Sequence, residues 1–503
     1  MKKLILSLVL VMILVLICPL AAACADSRDT HEGETTEDGG IPKDTSTTAE
    51  ENSDYDEIGY LRDRLPEDLN FNGEAVNILY WSDVELPEFF TESVTGEVVN
   101  DAIYERNLKA EERIGVELKY IGQPGRNTAL TEYTQKVGNS ISAGDNEFDI
   151  MAAYSQTVAN LTYNGYCSDL SQTKYLDFEM PWWPSTLTNE ATVGGKLYFV
   201  SGDISTNLLY FMYATFFNKD LISQFNLENP YELVAENKWT LDKYIEMCNG
   251  LYNDLNGNGA KDYGDRFGTI IPWLSIDAFF YGSGLRTTDK NTDGTLIISP
   301  SYSGEKSIDL VNKLNYILFG SSDGLWKKED TGTINEQFSG GLVLLFTQRT
   351  KDVILTFSKA GDLSFGVVPV PKYDSAQEEY ISCVGNPFTL YSVAINIRDM
   401  DLASATLESL ASAAYRTTTP AIFEVTLKVK YSDDPTAAGM YDLVREGVVF
   451  DLGRIYGMVL DNLTQTRFRN LVGSGSTSWA AEYASFGKVL ERFLVVLNKK
   501  LVN

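Results

Sequence analysis

From residue 76 onward the chain alternates between two hydrophobic periods. Val76–Trp81 (VNILYW) is a short apolar run that reads as a strand, entered from the polar turn FNGEA. Val99, Ile103, Ala110 and Ile114 then recur at the spacing of one helix face, and Gly115 stops the pattern. Residues 116–121 alternate as a second strand, Leu130, Tyr133, Val137 and Ile141 mark a second helix, and residues 148–153 a third strand. Strand–helix alternation of this kind predicts βαβ units on a parallel sheet. The second half continues in mixed style. Leu241, Tyr244, Ile245, Cys248 and Leu251 share a helix face, residues 340–346, 363–370 and 391–397 read as strands, and Tyr483, Phe486, Val489, Leu490, Phe493, Leu494, Leu497 and Leu501 read as one face of a terminal helix.

The amino terminus departs from this pattern. Lys2 and Lys3 precede an apolar stretch to Ile17, then Pro19 and the small residues Ala21–Ala23, which is the layout of a secretory signal over residues 1–23. Cys24 directly after the alanines resembles the lipobox of bacterial lipoproteins, although Ala21 stands where that box has Leu. The resemblance implies a diacylglyceryl thioether on Cys24 and a membrane-anchored, extracytoplasmic protein of a Gram-positive-type cell surface. Residues 24–56 are nearly free of apolar side chains and carry eleven acids against two bases after Cys24, so they predict a disordered acidic tether.

Charge and composition then narrow the function. The whole chain has 41 bases and 70 acids, a net charge of −29, and no Lys/Arg run, which argues against a nucleic-acid partner. The only histidine, His31, lies in the tether, so imidazole catalysis and His-ligated zinc are excluded from the body. Cys167, Cys248 and Cys383 form no CxxC pair and do not suggest a disulfide framework. No GxxxxGK[ST] phosphate loop occurs.

The stretch GGKLYFVSGDISTNLLYFMYATFFNKDLI, followed by NPYELVAENKWTLDKYIEMC, carries the main resemblance. Gly195–Tyr198, Phe217–Leu221 and Lys238–Thr240 stand in the order and spacing found in bacterial ABC-importer solute-binding proteins of carbohydrate type (family 1). FSGGLVLLFTQRT, FGVVPVPKYD and GEVVNDAIYERNLKAEERIGVEL extend the match over residues 70–500. What it implies is an α/β, two-lobed periplasmic-binding-protein-like fold with an interlobe ligand cleft and hinge crossings. The expected lobes are residues 66–203 with 371–430, and 204–370 with 431–503. The implied function is capture of a carbohydrate, an oligosaccharide above all, by a monomer that delivers it to a membrane permease without breaking a bond. Two alternatives are a secreted polysaccharide-active enzyme using paired carboxylates and a surface sensor or adhesin on the same fold.

A sugar site needs flat aromatic faces and a rim of amide, carboxylate or guanidinium groups. Position at strand ends selects Trp81, Asp83, Tyr154 and Gln156, and Asp203 lies at the first crossing. Trp273, Asp277 and Tyr281 form one helical stripe in a stretch that resembles the cleft lining of the maltose-binding branch. Arg349 ends a strand where that branch has an aromatic, Asn386 follows the second crossing, and Trp479 sits in a Ser/Gly-rich turn. The Trp182-Trp183 pair reads as loop packing with sugar contact open.

One further motif points to a metal. In DLNGNGAKDYGD, Asp254, Asn256, Asn258, the Ala260 carbonyl, Asp262 and Asp265 fall at the ligand positions of an EF-type loop, with Gly259 at the sharp turn. The following RFGTII reads as strand, so no sensor-type helix pair is expected. The loop resembles the structural calcium loop of alginate-type solute-binding proteins, with Tyr263 where those have another acid. The expectation is a structural calcium and no organic cofactor.

Overall fold

The computed structural model describes residues 54–328, 331–357, 361, 363–430 and 434–502. The expected signal segment, Cys24 and the part of the expected tether before residue 54 lie outside the described residues.

The first βαβ pattern folds as its periodicity dictates. β1 (Glu74–Trp81) leads to α1 (Val98–Ile114), which stops where Gly115 takes the left-handed conformation, at φ 65°. β2 (Val116–Gln123), α2 (Leu130–Ala143), β3 (Ile150–Tyr154) and α3 (Ser155–Tyr163) follow. β1 lies between β2 and β3 and is parallel to both. The first strand is longer than its apolar run because Glu74 and Ala75 extend the ladder with β2.

The chain then crosses to a second sheet. β4 (Tyr213–Asn218), α4 (Leu241–Cys248), β5 (Phe267–Pro272), α5 (Ile276–Gly282), β6 (Gly324–Lys327), β7 (Val343–Arg349) and β8 (Phe365–Val368) build it in the order β8-β4-β7-β5-β6. β5 is parallel to β6 and β7, whereas β4 runs antiparallel to β7 and β8. Thr240 caps α4 by accepting the Lys243 amide, and the helix ends at Cys248, before Leu251. Residues 288–298 form a separate hairpin, Thr288–Lys290 against Leu296–Ile298.

β9 (Thr389–Val393) returns to the first sheet, antiparallel to β3, and completes the order β9-β3-β1-β2. The outgoing and returning crossings pair with each other, Val200 bridging Tyr391 and Met212 bridging Val384. Ser382–Cys383 also pairs parallel with Val448–Val449, where the chain passes the same point again. α6 (Met400–Arg416) packs on α1, and α7 (Gln465–Gly473) on α5. α8 (Trp479–Val502) lies against the 288–298 hairpin and reaches back to α3. The fold is thus two α/β lobes joined by paired crossings, with the carboxyl ends of parallel strands in both sheets left to face a cleft.

Candidate functional site

A cavity of about 530 Å³ opens where strand ends from both sheets meet. The first sheet contributes Tyr154 at the end of β3, Gln156 in the first turn of α3, and Arg126 in the turn after β2. The second contributes Tyr213 at the start of β4 and Arg349 at the end of β7, which are paired in register. Trp273 and Asp277 come from the turn after β5 and from the start of α5. Asn386 enters from the returning crossing, and Arg454, Asn462, Thr466 and Arg469 from the C-terminal helical region.

Local packing sets these groups. The turn carrying Arg126 can lie on the β1 end because residue 125 is glycine; a Cβ there would stand 2.7 Å from the Trp81 side chain. The Asp83 carboxylate accepts the Gly125 amide at 2.8 Å, and its carbonyl accepts from Arg126 Nη2 at 3.0 Å. On the opposite wall Asp277 is shared by two guanidiniums, Arg454 Nη2 at 3.1 Å and Arg469 Nε at 3.1 Å. All three side chains are nearly fully buried, and the contacts are ion pairs whose angles fall outside hydrogen-bond geometry. Arg469 stacks its guanidinium 4.1 Å from the Trp273 ring centre, which holds the half-buried indole at the cavity wall.

Burial, only partly opposed by nearby arginines, pushes the Tyr154 and Tyr213 phenols up to about 12. Both hydroxyls therefore stay neutral at physiological pH and can donate as well as accept. At the rim, burial raises the Glu85 carboxyl, but the Lys351 ammonium that pairs with it, with Arg349 and Arg126 farther off, outweighs burial and holds it below its usual value. The arrangement offers aromatic faces, neutral hydroxyls and amides, and a concentration of guanidiniums. Such a lining is suited to holding a polar solute of intermediate size.

A model of the bacterial extracellular solute-binding protein family matches residues 110–397, more than half of the chain. The chain belongs to that family. Solved structures share the fold at low identity. The GacH receptor of Streptomyces glaucescens superposes with a TM-score of 0.52 at 16% identity, covering 84% of this chain and 99% of that one. The sugar-binding protein MalE of Xanthomonas citri gives 0.54 at 13%, over 84% and 97%. A sugar transporter protein of Rhizobium etli, in an open conformation, gives 0.53 at 13%, over 85% and 98%. No curated protein sequence gives a significant match.

Six of the residues singled out from the sequence of this solute-binding protein line the cavity: Tyr154, Gln156, Trp273, Asp277, Arg349 and Asn386. Five do not reach it. Trp81 is fully buried behind the wall; its Nε1 donates to Thr389 Oγ1 at 2.9 Å and its ring meets Tyr154 edge-on at 5.8 Å. Asp83 serves the Arg126 turn. Asp203 pairs with Arg445 at 3.0 Å and borders a different cavity, of about 370 Å³. Tyr281 is buried behind Asp277, because its helix begins only at Ile276 and the stripe from Trp273 is not continuous. Trp479 opens α8 rather than sitting in a turn, and donates from the core to the Tyr302 carbonyl at 2.8 Å. Trp182 and Trp183 are buried as well, both indoles donating to Glu408. Arg126, Glu85, Tyr213, Arg454, Asn462, Thr466 and Arg469 were not anticipated. Of these, Arg126 was findable, since it stands in the loop after a predicted strand.

The loop 254–265 folds as a compact turn. Asp254 accepts the Gly257 and Gly259 amides at 2.7 and 2.9 Å, and Asp262 accepts from the Asn256 and Asn258 side chains, both at 2.8 Å. The Tyr252 hydroxyl lies 3.3 Å from both the Ala260 carbonyl and the Asp265 carboxylate. Among the described residues no three His, Cys, Asp or Glu side chains are grouped as a metal site. No helix among the described residues is long and apolar enough to cross a membrane.

Proposed function

We propose that this solute-binding protein captures an oligosaccharide between its lobes and hands it to the permease of an ABC importer. The observation that carries the reading is the interlobe cavity itself. Tyr154, Tyr213 and Trp273 present aromatic faces beside Gln156, Asn386, Asn462 and Asp277, which supply the mixed donors and acceptors a ring of sugar hydroxyls requires. Its volume, about 530 Å³, suits a short oligosaccharide rather than a polymer chain. The fold shared with GacH, whose structure was solved with acarbose, and with MalE of Xanthomonas citri supports the same class of solute.

Calorimetry against a panel of oligosaccharides, amino acids and peptides tests this. The expected result is saccharide binding at one site per chain, without turnover and weakened roughly tenfold or more by Trp273→Ala. Binding of peptides alone, or hydrolysis of the saccharide, would overturn it. We further propose that Cys24 carries a lipid anchor, supported by the apolar leader ending in three alanines. Cys24→Ala should move the protein from the membrane fraction to the medium; retention in the membrane would exclude the anchor.

The calcium proposal for the 254–265 loop has its support in charge convergence. The half-buried Asp254 and Asp262 and the fully buried Asp265 belong to one short turn, in which the Asp265 carboxylate and the Ala260 carbonyl both meet the Tyr252 hydroxyl at 3.3 Å.

A further inference from the structure

The cavity has a charge that the saccharide reading alone does not explain, and the inference below rests on that reading. Four guanidiniums, Arg126, Arg349, Arg454 and Arg469, face only two carboxylates, Glu85 and Asp277. Both carboxylates are already engaged, Glu85 by Lys351 and Asp277 by Arg454 and Arg469. Arg126 and Arg349 form no ion pair among the described residues; each feels the Glu85 carboxylate only at longer range, where Lys351 already pairs with it. Arg349 is only 7% exposed, and its Nε has no hydrogen-bond acceptor. Its guanidinium is nonetheless held in place, 5.1 Å above the Phe211 ring, with its stem against Gly385. Arg454 Nε and Arg469 Nη1 are likewise without acceptors.

A buried guanidinium that no carboxylate contacts directly is unfavourable in the free protein. Composition does not account for it, because the chain has 70 acids against 41 bases. The positive excess is local, placed where the solute enters a body that otherwise repels anions. An oxyanion would satisfy it: the guanidinium fork donates two parallel hydrogen bonds to two oxygens of a carboxylate or of a sulfate, which no single sugar hydroxyl can match. We propose that the solute is an acidic saccharide whose carboxylate or sulfate group docks on Arg349, with Arg126 approaching from the facing lobe.

The test compares uronate disaccharides, their carboxyl-reduced counterparts and sulfated neutral disaccharides by calorimetry, on wild type, Arg349→Gln and Arg126→Gln. An acidic saccharide should bind roughly 30-fold or more tightly than its neutral counterpart, and Arg349→Gln should remove that preference. Preference for the uronate or for the sulfate ester identifies which oxyanion is used; either supports the proposal. Should Arg349→Gln fail to fold, a smaller loss of the same preference in Arg126→Gln, at a partly exposed turn, carries the test. Equal binding of neutral and acidic saccharides would overturn the acidic proposal and leave the saccharide reading standing. Binding of non-saccharide solutes alone would overturn both.

Discussion

Glu408 gives the most quantitative prediction. It lies on α6 and is 1% exposed. One oxygen accepts the Trp182 indole N–H at 2.9 Å; the other accepts the Trp183 indole at 2.8 Å and the Asp177 amide at 3.2 Å. Burial outweighs these three donors and pushes the carboxyl up from 4.5 to about 7. The folded protein therefore holds a proton that the unfolded chain releases between those two values. Stability from this group is fully present below the unfolded value and is lost as pH rises through about 7. Between pH 5 and pH 8 the loss is about 2–3 kcal/mol, from about 1.4 kcal/mol per pK unit. Glu408→Gln matches the neutral acid in size and charge, so it should not share that loss. Urea unfolding of both proteins, followed by tryptophan fluorescence from pH 5 to 8, reads the difference. Asp149, Glu190 and Asp203 are also raised by burial, and taking the difference between the two proteins removes their contribution. The stability gap should move by about 2–3 kcal/mol in favour of the variant as pH rises. A gap constant to within about 0.5 kcal/mol would refute the assignment of a neutral buried acid at low pH.

Asp277→Asn keeps the shape of the cavity wall but strands Arg454 and Arg469 without their shared counter-ion, and should cost about 3–5 kcal/mol in denaturant unfolding. An unchanged midpoint would show that solvent, rather than Asp277, compensates the two guanidiniums. If the 254–265 loop takes calcium, a hundredfold excess over Kd should stabilise the wild type by about 2.7 kcal/mol, an effect reversed by EDTA and absent in Asp254→Ala. Equal melting temperatures with calcium and with EDTA would end that proposal.

The two periods of the hydrophobic pattern made the sheets legible, because strand ends and helix stops such as Gly115 are local decisions. The cavity lining was legible where its residues sit at or just after strand ends, as Tyr154, Gln156, Trp273 and Arg349 do, or on the returning crossing, as Asn386 does. Trp81, Tyr281 and Trp479, expected at the cleft, are instead core residues. Most of the buried indoles donate their N–H to an acceptor remote in sequence, which the local pattern does not reveal. Trp81 finds Thr389, Trp182 and Trp183 find Glu408, Trp239 finds the Pro369 carbonyl and Trp479 finds Tyr302. Each of these lies inside, whereas Trp273 stays half-exposed at the cavity wall under a guanidinium. The same remoteness hid the charge of the site. Arg126, Arg349, Arg454 and Arg469 come from separate segments of a chain of net charge −29. Average composition predicts an acidic surface, but a binding site responds to the few groups within contact distance. Only the convergence of four guanidiniums on one cavity makes an acidic solute a prediction about this protein.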